Sequence, residues 1–333
     1  MKKIFVFILL LAVNISLLAQ KKDYKAAVIA FYNLENLFDT LDNTLINDEE
    51  FLPSGPRNYN SEIYFDKLNK LATVISQLGT EMTPDGPAIL GVAEVENDTV
   101  LNDLVRHKLI EKRNYKIVHY DSRDFRGIDV GLLYNPKYFI VEASDKLFVQ
   151  LPGGSKDAYF TRDILWVKGK LGGETIHIYV NHWPSRSGGE QRSAPARNAA
   201  AQVCKNHMDS IAKLEPNPKV IVMGDLNDDP TNESVEGILK AKGKERDVRA
   251  GGMFNPWMDL YKKGIGTLAY QDAWGLFDQI LISHAWLNKD QTGFFFYQQH
   301  IFNKEYQRWN QYPTYGFNFA GGIVFSFSQK NTK

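Results

Sequence analysis

A single cysteine, Cys204, serves a chain of 333 residues, so no internal disulfide can form and the folded state must rest on its core. Charge imbalance is lacking too. The chain carries 39 Lys and Arg against 39 Asp and Glu, which excludes a protein that coats nucleic acid by bulk positive charge and leaves only a local basic groove. No HxxxH or CxxC spacing occurs, so nothing marks a closed zinc site. Histidine is absent beyond His300, and no segment after the amino terminus is a membrane-length apolar run. No internal repeat, low-complexity linker or boundary signal divides the chain. With 44% hydrophobic and 13% aromatic residues, there is material for a sizeable core. Cys204 falls in a helical segment and reads as a small buried hydrophobe rather than a nucleophile.

The amino terminus stands apart. Lys2 and Lys3 precede an apolar stretch, Ile4 to Leu18, which closes on the small residue Ala19. This pattern predicts a secretory signal peptide over residues 1–19, cleaved near Ala19. The stretch is short and interrupted by Asn14 and Ser16, so no stable membrane insertion is expected after cleavage. No cysteine sits nearby to carry a lipid. The expectation is an exported protein, periplasmic or extracellular, whose mature charge is −2 once Lys2 and Lys3 are removed.

Residues 25–330 read as one α/β domain. Strands are expected at Lys25–Tyr32, Pro87–Val95, Tyr115–Tyr120, Ile128–Tyr134, Phe139–Val149, Val220–Met223, Gly266–Tyr270 and Phe277–Ser283. Arg162–Leu171 and Glu174–Asn181 flank Gly172-Gly173, a hairpin signal. Apolar spacing predicts an amphipathic helix over Phe65–Leu78, and further helices are expected over Val100–Leu109 and Ala196–Leu214. The last part reads as a loop-rich, aromatic tail. This order implies mixed sheets covered by helices.

The strands end in unusual polar clusters. Val220–Met223 runs into Gly224, Asp225, Leu226, Asn227, Asp228, Asp229. Taken alone this is an Asp/Asn turn. Asn33 and Glu35 follow the first strand, Glu94 and Glu96 the second, and Asn181, His182 and Arg186 another, while Asp278 opens a late one. If these strands share sheets, carboxylates, amides and one imidazole line a single rim. Such oxygen-rich donors suit Mg²⁺ or Mn²⁺.

The motifs FYNLEN, GVAEVEN, RGIDVGLLY, VNHWPSR, GDLNDDP and FDQILIS, in this order, resemble the endonuclease/exonuclease/phosphatase superfamily, which includes pancreatic deoxyribonuclease, abasic-site endonucleases, bacterial sphingomyelinases and inositol polyphosphate phosphatases. The resemblance runs from about Ala26 to Ser283 and is closest to exported bacterial members. It implies a four-layer α/β sandwich of two packed mixed β-sheets flanked by helices, with the site at one edge. It implies metal binding by Glu94 and Glu35. It also implies catalytic roles for Asn33 (polarising phosphate or water), Asp225 and Asn227 (positioning the water), His182 (phosphate or leaving group) and Asp278 (orienting the family's last histidine). Arg126 and Asp129 match positions that shape the substrate pocket, and Arg186 follows His182 closely enough to contact a phosphate, as do Arg192 and Arg197. Arg162 either lines the cleft or pairs with Asp163.

The family's Ser-Asp-His motif before the last strand is absent. The tail reads Gly316, Phe317, Asn318, Phe319, Ala320, Gly321, Gly322 and then an apolar strand. Three accounts stand side by side: a weak or inactive relative, replacement by His300 or His284, or a slower reaction carried by metal, His182 and Asp225. The expected function is a monomeric, Mg²⁺- or Mn²⁺-dependent phosphodiesterase acting on nucleic acid. A phosphomonoesterase or lipid phosphodiesterase of the same superfamily is the alternative, with Trp257, Trp274, Phe294–Phe296 and Trp309 either packed in the core, the commoner fate of such residues, or lining an apolar cleft; a catalytically inactive binding protein is a further alternative.

Overall fold

The computed structural model describes residues 24–153, 160–270, 273–289, 293–304 and 323–330. The expected signal peptide, the tail through Gly322 and Trp309 lie outside these residues. Strand β1 (Tyr24–Leu37) contains the run Ala27–Tyr32, apolar on both faces and buried throughout, as a strand covered on both sides must be. Helix α1 (Ser61–Gln77) starts where the Asn60 side chain accepts the Ile63 N–H, and it buries Tyr64, Leu68, Leu71, Ala72, Val74 and Ile75. Then follow β2 (Ile89–Val95), α2 (Asp98–Val105), β3 (Lys116–His119), β4 (Asp129–Tyr134) and β5 (Phe139–Leu147). Next come β6 (Ile164–Leu171), β7 (Glu174–His182), α3 (Glu190–Leu214) and β8 (Lys219–Asp225).

The rest of the described chain is shorter pieces: β9 (Ala241–Lys242), β10 (Met253–Phe254), α4 (Trp257–Lys262), β11 (Leu268–Tyr270), β12 (Ala273–Gly275), β13 (Asp278–Ser283), β14 (Phe294–Ile301) and β15 (Ile323–Lys330). One sheet has the order β14-β15-β1-β2-β4-β3, the other β5-β6-β7-β8-β13-β10-β9. Both are mixed: β1 and β2 are parallel, as are β7 and β8, amid antiparallel neighbours.

Three apolar layers hold the sheets and helices together. Ile29, Phe31 and Leu132 of the first sheet meet Ile178, Val180, Met223 and Ile280 of the second. The outer face of the first sheet packs on α1 and α2 through Val28, Ala30, Leu71 and Leu101. The outer face of the second packs on α3 through Tyr179, Val222, Ala201 and Cys204. The result is helices, sheet, sheet, helices: a four-layer α/β sandwich. Among the described residues no helix is long and apolar enough to cross a membrane.

Several expectations are revised. Helix α3 begins at Glu190, ahead of the expected Ala196, and carries Pro195 inside it; the proline forfeits one N–H in an early turn without stopping the helix. Phe294–Phe296 form part of β14, absent from the expected strands, and are buried; Phe294, Phe296 and Trp257 belong to the core between the sheets. They line no apolar cleft.

Candidate active site

Because β1 and β2 are parallel, as are β7 and β8, four strands deliver their C-terminal ends to one edge of the sandwich. The antiparallel β13 starts at that same edge. Across the second sheet His182 stands opposite Asp225, and Asp225 opposite Asp278. In the first sheet Asn33 stands beside Ala93, and Glu94 sits at an irregularity between Ala93 and Val95. The backbone departs from extended geometry where the polar residues begin. Glu35, Glu94 and Asn227 have φ of 53°, 60° and 50°, left-handed conformations uncommon for residues other than glycine and concentrated at functional sites. Gly224, just before Asp225, has φ of 149°. A Cβ there would lie 2.0 Å from the Asn181 carbonyl oxygen, so β7 and β8 approach this closely only through a glycine.

Asn33 joins the two sheets. Its Nδ2 donates to Glu94 Oε1 at 3.0 Å and to Asp225 Oδ2 at 3.3 Å, while its Oδ1 accepts the Glu35 N–H at 2.8 Å. His182 Nε2 lies 3.8 Å from Glu94 Oε1 and 3.9 Å from Asp225 Oδ2. The Asn227 N–H donates to Asp225 Oδ1 at 2.9 Å, and its side-chain amide donates to the Trp183 carbonyl, also at 2.9 Å. Arg162, buried, donates to the carbonyls of His182 (3.1 Å) and Trp183 (2.6 Å) and to Asp124 Oδ2 (3.3 Å). It thereby fixes the turn that carries His182.

Crowding and burial set the protonation states. Burial first, and the Glu94 carboxylate second, push Asp225 up to about 6, against the Asn227 N–H, Arg162 and Asn33, which favour its anion. Asp278 is held well above the usual carboxylate range by burial, then by Asp225, Glu94 and Glu35. Glu35 is raised by burial, partly offset by Lys67. His182 is held well below its ordinary value by burial, with Arg162 and Arg126 adding to the effect. The imidazole is neutral at physiological pH.

One ligand atom each from Glu94, His182 and Asp225 falls within 4.8 Å of the others. The Glu94 and Asp225 carboxylates, close enough that Glu94 raises Asp225 by repulsion, give this set the oxygen donors that suit a divalent ion. Glu35, the other expected ligand, is not part of this donor set. Its neighbour is Lys67 of α1, whose ammonium donates to the Glu35 carbonyl and is pulled down to about 8 by burial despite the attraction of Glu35 and Glu94. Lys67 escaped the sequence reading. Its signal was a cation three residues after Tyr64 and four before Leu71, on the inward face of an amphipathic helix.

The remaining expected residues lie around the rim. Arg186 directs its guanidinium to the Asn227 carbonyl, Asp229, Asn232 and Glu190 and covers the Phe277 ring, so it braces the turn after β8. Arg197 is fully buried, 2.6 Å from Asp228 Oδ1, and is no phosphate contact. Arg162 pairs with Asp124 rather than with Asp163. Arg126 lies in the loop between β3 and β4, and Asp129 opens β4; Arg126 contacts Asp124 at 3.3 Å. His284 follows the far end of β13 from Asp278, a strand length of roughly 20 Å away. His300 Nε2 is engaged by Glu81 Oε1 at 2.9 Å. Neither replaces the missing terminal histidine at this edge.

A model described as "Endonuclease/Exonuclease/phosphatase family" matches residues 28–325. No curated protein matches the sequence. Among solved structures, TDP2 from Caenorhabditis elegans is 16% identical with a TM-score of 0.53, covering 92% of this chain and 98% of its own. TDP2 from D. rerio, complexed with a single-strand DNA product, is 15% identical at TM-score 0.54, covering 92% of this chain and 100% of its own. A mannosyl-6-phosphatase from Bacteroides thetaiotaomicron is 14% identical at TM-score 0.55, covering 90% and 99%. At these identities the likeness is one of fold.

Proposed function

The chain belongs to the endonuclease/exonuclease/phosphatase family, and on that basis we propose that it is an exported, monomeric, Mg²⁺- or Mn²⁺-dependent phosphodiesterase that hydrolyses nucleic acid. The observation that carries this reading is the convergence of Asn33, Glu94, His182 and Asp225 from four strand ends onto one point. Asp225, held by the Asn227 N–H and Asn33, orients an attacking water. Neutral His182, fixed through Arg162, offers a hydrogen bond to a nonbridging or leaving oxygen. Asn33 keeps Glu94 and Asp225 in one register. A divalent ion held by Glu94 and Asp225 would supply neutralisation of charge building on the phosphoryl oxygens.

Purified protein incubated with supercoiled plasmid and either Mg²⁺ or Mn²⁺ should nick it, and Asp225→Ala should not. No nicking by the wild type beyond that control, with either ion, overturns the nuclease reading. A phosphomonoesterase is the second reading, favoured by the balanced surface charge and by the sugar-phosphatase among the structural neighbours. Release of inorganic phosphate from mannose 6-phosphate without nicking would select it. Metal binding without turnover of any phosphoester would identify a binding protein. Export is checked by sequencing the amino terminus of the secreted protein, expected near Gln20.

A further inference from the structure

A second gathering of ligand-type side chains lies beside the first, where β3 turns into β4. One ligand atom each from His119, Asp121 and Asp129 falls within 4.8 Å of the others. His119 stands opposite Gly131 in the β3–β4 ladder, so Asp129, two residues before Gly131, is its diagonal neighbour. The His119 side chain is only 2% exposed, and its Nδ1 lies 3.1 Å from Asp98 Oδ1 at the start of α2. Its Nε2 is 3.4 Å from Asp129 Oδ2 yet lacks the alignment of a hydrogen bond, and this buried nitrogen has no hydrogen-bond partner. The other oxygen of Asp129 accepts the Ser122 N–H at 2.8 Å, which fixes the carboxylate with Oδ2 turned to the imidazole.

We propose that His119, Asp121 and Asp129 form a second divalent-metal site, selective for a transition ion such as Zn²⁺, with Asp98 as the carboxylate that orients the imidazole. With the Asp98 carboxylate within ion-pair distance of Nδ1, Nε2 is the ring nitrogen left for a metal, and a carboxylate beside the other nitrogen is the arrangement by which metal-bound histidines are held. One imidazole with two carboxylates suits zinc-like ions better than Mg²⁺, which prefers oxygen and water. A buried ring nitrogen without a partner carries a desolvation cost, and a coordinated ion removes that cost. The site closes the loop of residues 120–128. That loop carries Asp124, the partner of buried Arg162, and Arg126, whose charge reaches His182. The second ion therefore braces the wall of the first site without taking part in the reaction, and its existence does not depend on which phosphoester is cleaved.

The test is a Zn²⁺ titration of the metal-stripped protein against a chromophoric chelator, repeated with Co²⁺ to read its visible absorption. Wild type should bind one more equivalent than Asp121→Asn or His119→Gln, while Glu94→Gln should retain that equivalent. Asp121 is exposed, so Asp121→Asn should keep the wild-type circular dichroism and guards against misfolding of the His119 variant. Asp98→Asn should weaken the site about 10–100-fold without abolishing it. Equal stoichiometry and affinity in wild type, His119→Gln and Asp121→Asn would overturn the proposal, leaving an imidazolium clasped between Asp98 and Asp129.

Discussion

Gly224 shows how one residue without a side chain sets the position of one with a charge. Its φ of 149° and the Asn181 carbonyl beside it bring β7 and β8 close enough to align His182 with Asp225. Gly224→Ala should destabilise the fold by about 1–3 kcal/mol through forced backbone movement, measured by urea denaturation, and should lower activity more than that loss of folded protein explains. His182→Ala removes a positioned donor while leaving Asp225 and Asn33 in place. A fall in turnover of about 10²–10³ is expected with little change in melting temperature, and an unchanged turnover would remove His182 from the chemistry. The residues that meet at the edge were legible in the sequence because each follows an apolar strand abruptly. Lys67, Asp124 and the pairing of Arg162 were not. Their positions depend on contacts between segments far apart in the chain, which no local pattern encodes.

At the scale of elements, the turn after β7 hangs from one buried arginine. Arg162→Ala would strip the His182 and Trp183 carbonyls of their donor and leave Asp124, 2% exposed, without its buried guanidinium. Breaking such a pair from one side typically costs about 3–5 kcal/mol, so this variant should show a sharply lowered urea midpoint. The layer between β6, β7 and α3 carries a different liability. Trp166, His177, Tyr179 and His207 pack together there. Burial lowers His177 despite its hydrogen bond to Glu215, and burial with the neighbouring His177 lowers His207, both from an ordinary value of 6.5. The unfolded chain thus binds more protons than the native one below 6.5, so the stability is fully present above that value and is lost as the pH falls. Between neutral pH and about 5 the wild type should lose stability relative to His207→Gln, read as the difference between their denaturation midpoints. Most strands were legible from continuous apolar runs. The limits of α3 were not, since Pro195 resembles a stop while α3 tolerates it. β14 was hidden because its aromatic run, followed by Gln298, Gln299 and His300, carries neither a clean alternation nor a turn signal of its own.

For the whole molecule, the two mixed sheets and their helical cover were readable from element order together with the resemblance of six ordered motifs, whereas the strand order within each sheet was not. Pairings such as β1 with β15 join residues at opposite ends of the described chain, and sequence periodicity carries no information about partners so distant. Deleting residues 323–330 should abolish cooperative unfolding, since it withdraws Phe325 and Phe327 from the core between the sheets; a sharp, wild-type-like transition in the truncated protein would show β15 to be dispensable.

The place of β15, between β1 and β14, also bears on how the protein is made. Until those last residues leave the ribosome, β1 has an open, apolar flank that any neighbouring strand can join. At about 5–20 residues per second, the nascent chain spends tens of seconds in that state. Throughout that interval the flank of β1 that β15 later covers is an unpaired apolar edge, open to the strands of other chains.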